Sequence, residues 1–328
     1  MKVFITGATG LVGSFVCRQL LENGHEIRAV KRTSSKMTLL EDTEQDIEWV
    51  VGDMNDTEFL EESLKDIEAV IHAAAIISFD KRWEKKMFKT NVLGTADLVN
   101  TCLKLGVKKF LHVSSVAAIG RKAGQIKLSE ADRWEGTKFD SIYARSKYLQ
   151  ELEVWRGSQE GLEVKIVNPS VILGPGLWGQ GGSTSVFKYA YDEKTFHPEG
   201  TVNYVDVRDV STAVVKLMES DIKDERFILS AGTLSYKDFF GQIAKAFGKK
   251  PPQKVVKPWM LKIAVAAEFI RSRITGKEAM ITKDTAILST SKFHFQNDKV
   301  KQALNIDFRP FDESIEWSVN ELKKKYLL

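Results

Sequence analysis

Thr6-Gly7-Ala8-Thr9-Gly10-Leu11-Val12-Gly13 is the stretch whose reading decides the rest of the chain. It follows a short apolar run at residues 3–6 and precedes a helix-like run at 13–23 closed by Gly24, so it sits where a strand ends and a helix begins. Glycine at such a turn lets the backbone approach a diphosphate with no side chain in between. The start of the helix adds unpaired N–H groups and a partial positive charge. The spacing is GxxGxxG, one residue longer than the GxGxxG of the dinucleotide fingerprint. Gly7, Thr9, Gly10, Leu11 and Val12 are the residues expected to face the ligand. A tight strand-to-helix turn with no ligand needs similar glycines, so the surroundings of the loop must separate the two readings.

Outward from the loop, strand-like and helix-like stretches alternate. Strands are expected at 26–30, 47–51, 69–72, 110–113 and 164–167, with helices at 58–65, 83–105 and 142–158. That alternation predicts an α/β fold, a doubly wound parallel sheet with helices on both faces. Residues 168–200 are rich in Gly, Ser and aromatics and have little periodicity. A strand-like 202–207 and a helix ending near Ser220 return to the earlier style, and beyond Ala231 helices and loops carry a small core of their own. The expected division is a Rossmann-type dinucleotide-binding domain of residues 1–167 and 201–230, with a smaller substrate-binding cap of 168–200 and 231–328.

Composition removes several classes of function. With 43% hydrophobic residues in 328, there is material for one large domain or two unequal ones. The net charge of +4 comes from interspersed charges of both signs, which argues against a nucleic-acid face. Cys17 and Cys102 lie far apart, and the five histidines form no ligand-spaced pair. Neither a disulfide framework nor a metal site is expected, and a reducing, cytoplasmic setting fits best. The apolar stretch after Met1-Lys2 carries turn glycines and reads as a strand rather than a signal peptide. Residues 258–270 are too short to span a bilayer and are interrupted by Lys262 and Glu268, so no transmembrane segment is expected. A core or lid helix is favoured there over a helix lying on a membrane surface.

The second strand ends at Lys31-Arg32 with no acid beside it. An acid there would hydrogen-bond the ribose hydroxyls of NAD and repel a 2′-phosphate, whereas Arg grips a phosphate bidentately. NADP is therefore favoured over NAD, although a solvated pair of surface cations looks the same in sequence. Asp53, with Met54 beside it, is placed to accept from an adenine amino group. A plain turn residue is the competing reading.

Tyr143-Ala144-Arg145-Ser146-Lys147 puts a phenol and an ammonium on one helix face. Reducing a carbonyl needs a proton delivered to oxygen as hydride reaches carbon, and tyrosine's ordinary pKa of ~10 is high for that task. A nearby cation is expected to lower it. Ser114-Ser115 ends the preceding strand at the sheet's carboxyl edge, where ligands bind. A serine hydroxyl there can hold a substrate oxygen.

Taken in order, these pieces resemble an extended short-chain dehydrogenase/reductase over nearly the whole length. Besides the loop they are Gly52-Asp53, His72-Ala73-Ala74-Ala75, Asn91-Val92-Leu93-Gly94-Thr95, Val113-Ser114-Ser115 and Tyr143 with Lys147. Asn168-Pro169-Ser170 running into Gly174-Pro175-Gly176, and Tyr204-Val205-Asp206-Val207-Arg208-Asp209-Val210, complete the set. The resemblance implies Tyr143 as acid/base, Lys147 as its electrostatic partner and holder of the nicotinamide ribose, and Ser115 as the serine on the substrate oxygen. It further implies Asn91 in a water relay, with Ala73, Ala74, Ala75 and Ser114 along the cofactor cleft and Pro169 and Ser170 beside the nicotinamide. Against this, Asn91 could cap a helix turn, Ser114 could satisfy backbone donors, and His72 could fill the strand end.

Within that family the chain is similar to the dihydroflavonol-reductase-like branch, whose NADP-selecting segment Arg28-Ala29-Val30-Lys31-Arg32 resembles. Val116-Ala117-Ala118 lacks the acidic pair of the sugar dehydratases. A nucleotide-sugar epimerase with tightly bound NAD and a non-catalytic NADP-binding regulator are the alternatives to a carbonyl reductase. Phe79, Trp83, Trp134, Leu177, Trp178, Phe187 and Tyr189 are expected either to wall an apolar substrate pocket or to pack loops onto the cap. The molecule is expected as a monomer or homodimer.

Overall fold

The computed structural model describes residues 1–122, 124–179 and 182–327. The chain begins in the middle of its main sheet. β1 (Lys2–Thr6) is followed by α1 (Leu11–Glu22), β2 (Glu26–Lys31), β3 (Glu48–Val51), α2 (Thr57–Ser63) and β4 (Ala69–His72). Next come α3 (Gly94–Leu105), β5 (Lys109–Val113), α4 (Ile142–Gln159) and β6 (Glu163–Pro169). Strands β7 (Val171–Leu173) and β8 (Thr201–Asp206), helix α5 (Val207–Glu219) and strands β9 (Glu225–Leu229) and β10 (Gly232–Ser235) follow. Strands β9, β6, β5, β4, β1, β2 and β3 lie side by side in that order, all parallel. The order reverses between β1 and β4, which opens a crevice at the carboxyl edge, where open α/β sheets bind ligands.

The inner strands are almost continuously apolar because both faces are covered. On one face, Val16, Cys17 and Leu20 of α1 and Val210, Val214 and Leu217 of α5 pack on Ile5, Ile71 and Val167. On the other, Leu60, Leu98, Val99 and Val154 pack on Phe4, Val70 and Phe110. A third core belongs to α6 (Tyr236–Phe247) and α8 (Phe311–Tyr326), where Phe239, Ile243 and Phe247 meet Phe311, Ile315 and Val319.

Four expectations change. The strand at Thr201–Asp206 joins a separate three-stranded sheet between β7 and β10 instead of the main one. The seventh main strand, β9, had no counterpart in the pattern reading, because Glu-Arg opens a five-residue run too short for alternation to show. The helix expected over 83–105 is continuous but takes a wider π turn at Phe88–Leu93. Finally, α7 (Pro258–Thr275) is not a core helix: of its 18 residues only Ser272 is buried.

Candidate active site

Gly7 lies at φ +76°, and a Cβ there would come within 2.7 Å of Ala73 C and Ala74 N, so only glycine lets the loop lie against β4's exit. A Cβ on Gly13 would overlap the Gly7 carbonyl, which presses α1 onto the loop. Ala73 N donates to Thr6 O at 3.1 Å and Ala74 N to Thr6 Oγ1 at 3.2 Å, tying the two strand ends together. Helix α1 starts with Gly10 as N-cap, no side chain capping it and no acid in its first turn. The leading N–H groups at Leu11 and Val12 therefore face the crevice without an intrahelical partner. A diphosphate fits that cradle.

At the end of β2 the two cations part company. Lys31 pairs with Glu44 at 3.2 Å and lies 5.0 Å from the centre of the Trp49 ring. Arg32 is exposed, and its guanidinium makes no hydrogen bond or ion pair among the described residues, though its charge is felt by Asp53. Asp53 Oδ1 accepts from Asn55 N at 3.0 Å and Asn55 Nδ2 at 2.6 Å, as a turn residue does. These bonds, then the nearby Lys89 and Arg32 charges, hold its carboxyl below the usual range. The Met54 side chain is buried in the core under α2 and α3.

Asn91 sits in the π turn, where its amide clamps Ile76: Oδ1 accepts from Ile76 N at 2.8 Å and Nδ2 donates to Ile76 O at 2.9 Å. Nδ2 also reaches Ser146 Oγ at 3.1 Å. The amide fixes the loop that follows Ala73, Ala74 and Ala75, instead of the helix end that sequence offered as the alternative.

Ser115 is extended and caps the short turn after β5, its Oγ accepting from Ala117 N at 3.1 Å. The same side chain is close enough to the Tyr143 phenol to lower its pKa, and the phenol ring lies 5.7 Å from that of Phe79. Lys147, one turn along α4, is fully buried and donates to Val113 O at 3.1 Å and Gln150 Oε1 at 2.8 Å. The expected lowering of the tyrosine does not occur in this state. Burial pushes Tyr143 up to about 12 against the Ser115 hydrogen bond. Burial also pushes Lys147 down to about 7, with Glu151 pulling the other way. Desolvation is the largest cause for both buried groups, and neither shift carries a contribution from the other.

Behind this pair lies a polar network that sequence reading missed. Glu151 is buried and accepts from Ser114 Oγ at 2.5 Å, Asn168 Nδ2 at 2.6 Å and Arg226 at 3.3 Å. The Ser114 hydroxyl is thus committed inward and not to the cleft. His72, expected to fill the strand end, bridges Thr6 at 2.7 Å and Thr95 at 2.8 Å and stacks on His112 at 5.1 Å. Burial first, then Lys147, pushes His72 down to about 3, so it stays neutral. Continuing the Tyr143–Lys147 spacing by four more residues lands on Glu151, the one signal that could have found it. Ser170, beside Pro169 at the end of β6, is buried with its hydroxyl unpartnered, as a residue awaiting a ligand group would be.

The aromatic residues divide. Phe79 faces Tyr143, but Trp178 packs on Tyr191, Phe247 and Tyr326, and Tyr189 on Phe240. Phe187 is buried in the same cap core, and Trp134 stacks on Tyr148 at 4.7 Å. For Trp178, Phe187 and Tyr189 the packing alternative holds, whereas Trp134 packs on α4 and not on the cap. A cavity of about 270 Å³ beside Phe79 is lined instead by Val265, Phe269 and Ile281.

A glycine cradle at the switch point of a seven-stranded parallel sheet defines a dinucleotide-binding α/β protein. Residues 3–229 match the model of the NAD dependent epimerase/dehydratase family, and the chain belongs to that family. It is 28% identical over 311 residues to a Synechocystis protein described as "Putative dihydroflavonol 4-reductase", covering 92% of this chain and 89% of that one. Sterol demethylase protein B of Methylococcus capsulatus is 27% identical, over 80% of this chain and 79% of that one. The crystal structure of gox2253 superposes with a TM-score of 0.83 at 30% identity, covering 99% of this chain and 98% of that one. Named reductases and dehydrogenases recur among the relatives, and the chain is an NAD(P)-dependent oxidoreductase. No helix among the described residues is long and apolar enough to cross a membrane.

Proposed function

We propose that this protein reduces the ketone or aldehyde of a small, largely apolar compound with NADPH. The observation that carries the reading is the buried Tyr143 phenol, close enough to Ser115 at the carboxyl edge of β5 for its pKa to be lowered by it, one helical turn from the buried Lys147. Gly7, Thr9, Gly10, Leu11 and Val12 would cradle the diphosphate, and Arg32, which makes no ion pair among the described residues, the 2′-phosphate. Ser170 and Pro169 would border the nicotinamide, which when bound supplies the hydride. In this reading residues 1–167, together with α5 and β9, hold the cofactor, and the remainder shapes the substrate site.

The side chains perform the proton half of the reaction. Ser115 holds the substrate oxygen, and Tyr143, kept protonated by burial, delivers its proton there as negative charge develops. The Lys147 ammonium stabilises the tyrosinate that remains. Phe79 and Val265 would favour an apolar group on the substrate, with Arg82, Arg273 and Asp284 also lining the cavity. The test is Tyr143→Phe: kcat for a ketone and aldehyde panel should fall by about 10³-fold, in the range of a lost general acid, with NADPH affinity unchanged. Undiminished turnover would remove Tyr143 from the reaction.

A further inference from the structure

Helix α7 presents to solvent a stripe formed by Trp259, Ile263, Ala266, Ala267, Ile270 and Ile274, spaced so that all share one side of the helix. Trp259 and Ile263 are each 59% exposed, Ile270 57% and Ile274 79%, and Met280 just beyond is 72% exposed. Contiguous exposed apolar surface of this kind marks an interaction face. Lys254, Lys257, Lys262, Arg273 and Lys277 surround it, all exposed and without an ion pair among the described residues. Glu268, the helix's one acid, is turned to Arg271 and Met280 N and adds nothing to the exposed face.

We propose that α7 lies in the surface of a membrane bearing anionic lipid, with the apolar stripe sunk into the headgroup–acyl boundary. The charge pattern selects this occupant. A second copy would set five cations against five cations across a two-fold axis, whereas anionic headgroups pair with them and the Lys and Arg stems can snorkel past the stripe. Trp259 at the helix start suits the interfacial zone. Across the helix from this face, Val265 lines a cavity shared with Phe79, whose ring lies 5.7 Å from that of Tyr143, and Phe269, 57% exposed, stands at its edge. If the reductase reading holds, an apolar carbonyl compound dissolved in the bilayer would have a short route to the catalytic groups. The docking itself does not depend on that reading.

The experiment is flotation of the purified full chain with two kinds of vesicle: phosphatidylcholine alone, and an equal mixture with phosphatidylglycerol. The wild type should float with the mixed vesicles at low salt and detach at high salt. Ile263→Glu/Ile274→Glu and, separately, Lys257→Gln/Lys262→Gln/Arg273→Gln should each weaken binding by about tenfold or more, from loss of buried apolar area and of electrostatic attraction respectively. Circular dichroism should show both variants folded. Absence of flotation with the mixed vesicles, or flotation indifferent to the Glu pair, would overturn the proposal. So would a dimer in sedimentation velocity that the Glu pair dissociates while no vesicle is bound, because the face would then belong to a second copy. Binding is read without turnover, so its failure leaves the reductase reading standing, and the reverse also holds.

Discussion

Helices α4 and α7 each run for 18 residues, and each breaks the usual sorting of side chains in the opposite sense. Helix α4 buries Tyr143, Ser146, Lys147, Gln150 and Glu151 against the sheet, while α7 leaves Trp259, Ile263, Ile270 and Ile274 in solvent. A buried polar group and an exposed apolar patch are the informative exceptions to hydrophobic sorting. What lets α4 tolerate its inversion is that its donors and acceptors are matched: Lys147 to Val113 and Gln150, Gln150 to Thr95 and His72, Glu151 to Ser114, Asn168 and Arg226. For α7 no group within the described chain covers the stripe. One inversion is closed inside the protein and the other is left for something outside it.

Removing the central acid of α4 should give a large effect on stability. Glu151→Ala leaves Arg226, Ser114 and Asn168 facing an empty buried site, and loss of one partner from a buried pair costs about 3–5 kcal/mol. Urea unfolding should show a loss of that size. A change below about 1 kcal/mol, the scale of an exposed pair, would mean the network does not hold the helix in place.

The second test uses proton linkage. Lys147 titrates near 7 when folded against an ordinary 10.5, so above 7 the unfolded chain binds the proton that the folded chain has released. Stability relative to Lys147→Met should therefore rise with pH, by up to about 1.4 kcal/mol per unit between about 7 and 9. Nearer 10.5 the difference should level off, because the unfolded lysine then loses its proton as well. A flat difference across that window would show that Lys147 is not desolvated.

How far these features could be read from sequence follows from their range along the chain. Gly7 and the loop were legible because a positive φ and a backbone contact at 2.7 Å leave one residue type able to serve. Tyr143 and Lys147 were legible because helix geometry alone makes them neighbours. The Glu151 network was not, since Ser114, Asn168 and Arg226 lie 37, 17 and 75 residues from it and only folding brings them together. Trp178, Phe187 and Tyr189 show the same limit. Their type announced burial, but not whether the burying surface was a pocket or the cap's own core. β9 escaped because a short strand paired only to β6 carries its identity in the partner.

Cofactor choice should respond on a smaller scale. Arg32→Ala removes the cation at the end of β2 that makes no ion pair among the described residues, while Lys31 stays with Glu44. NADPH affinity by isothermal titration should fall about 10- to 100-fold, the equivalent of a charge-assisted bond of about 1.5–3 kcal/mol, and NADH affinity should stay the same. Equal affinities in the wild type would remove the phosphate assignment and leave Arg32 a solvated surface cation.

The smallest expected effect is the sharpest check on the contrast between the two helices. At Val154, on the buried face of α4, a glutamate would place an unpaired charge in the core beside Leu98 and Val99 and should prevent stable folding. At Ile263 the same change sets a charge in water, where surface substitutions stay within about 0.5 kcal/mol. Ile263→Glu should therefore leave the urea midpoint almost unmoved in solution. A loss of about 2 kcal/mol or more, the signature of a packed side chain, would place that face of α7 against protein. The two helices would then differ only in which part of the same molecule covers them.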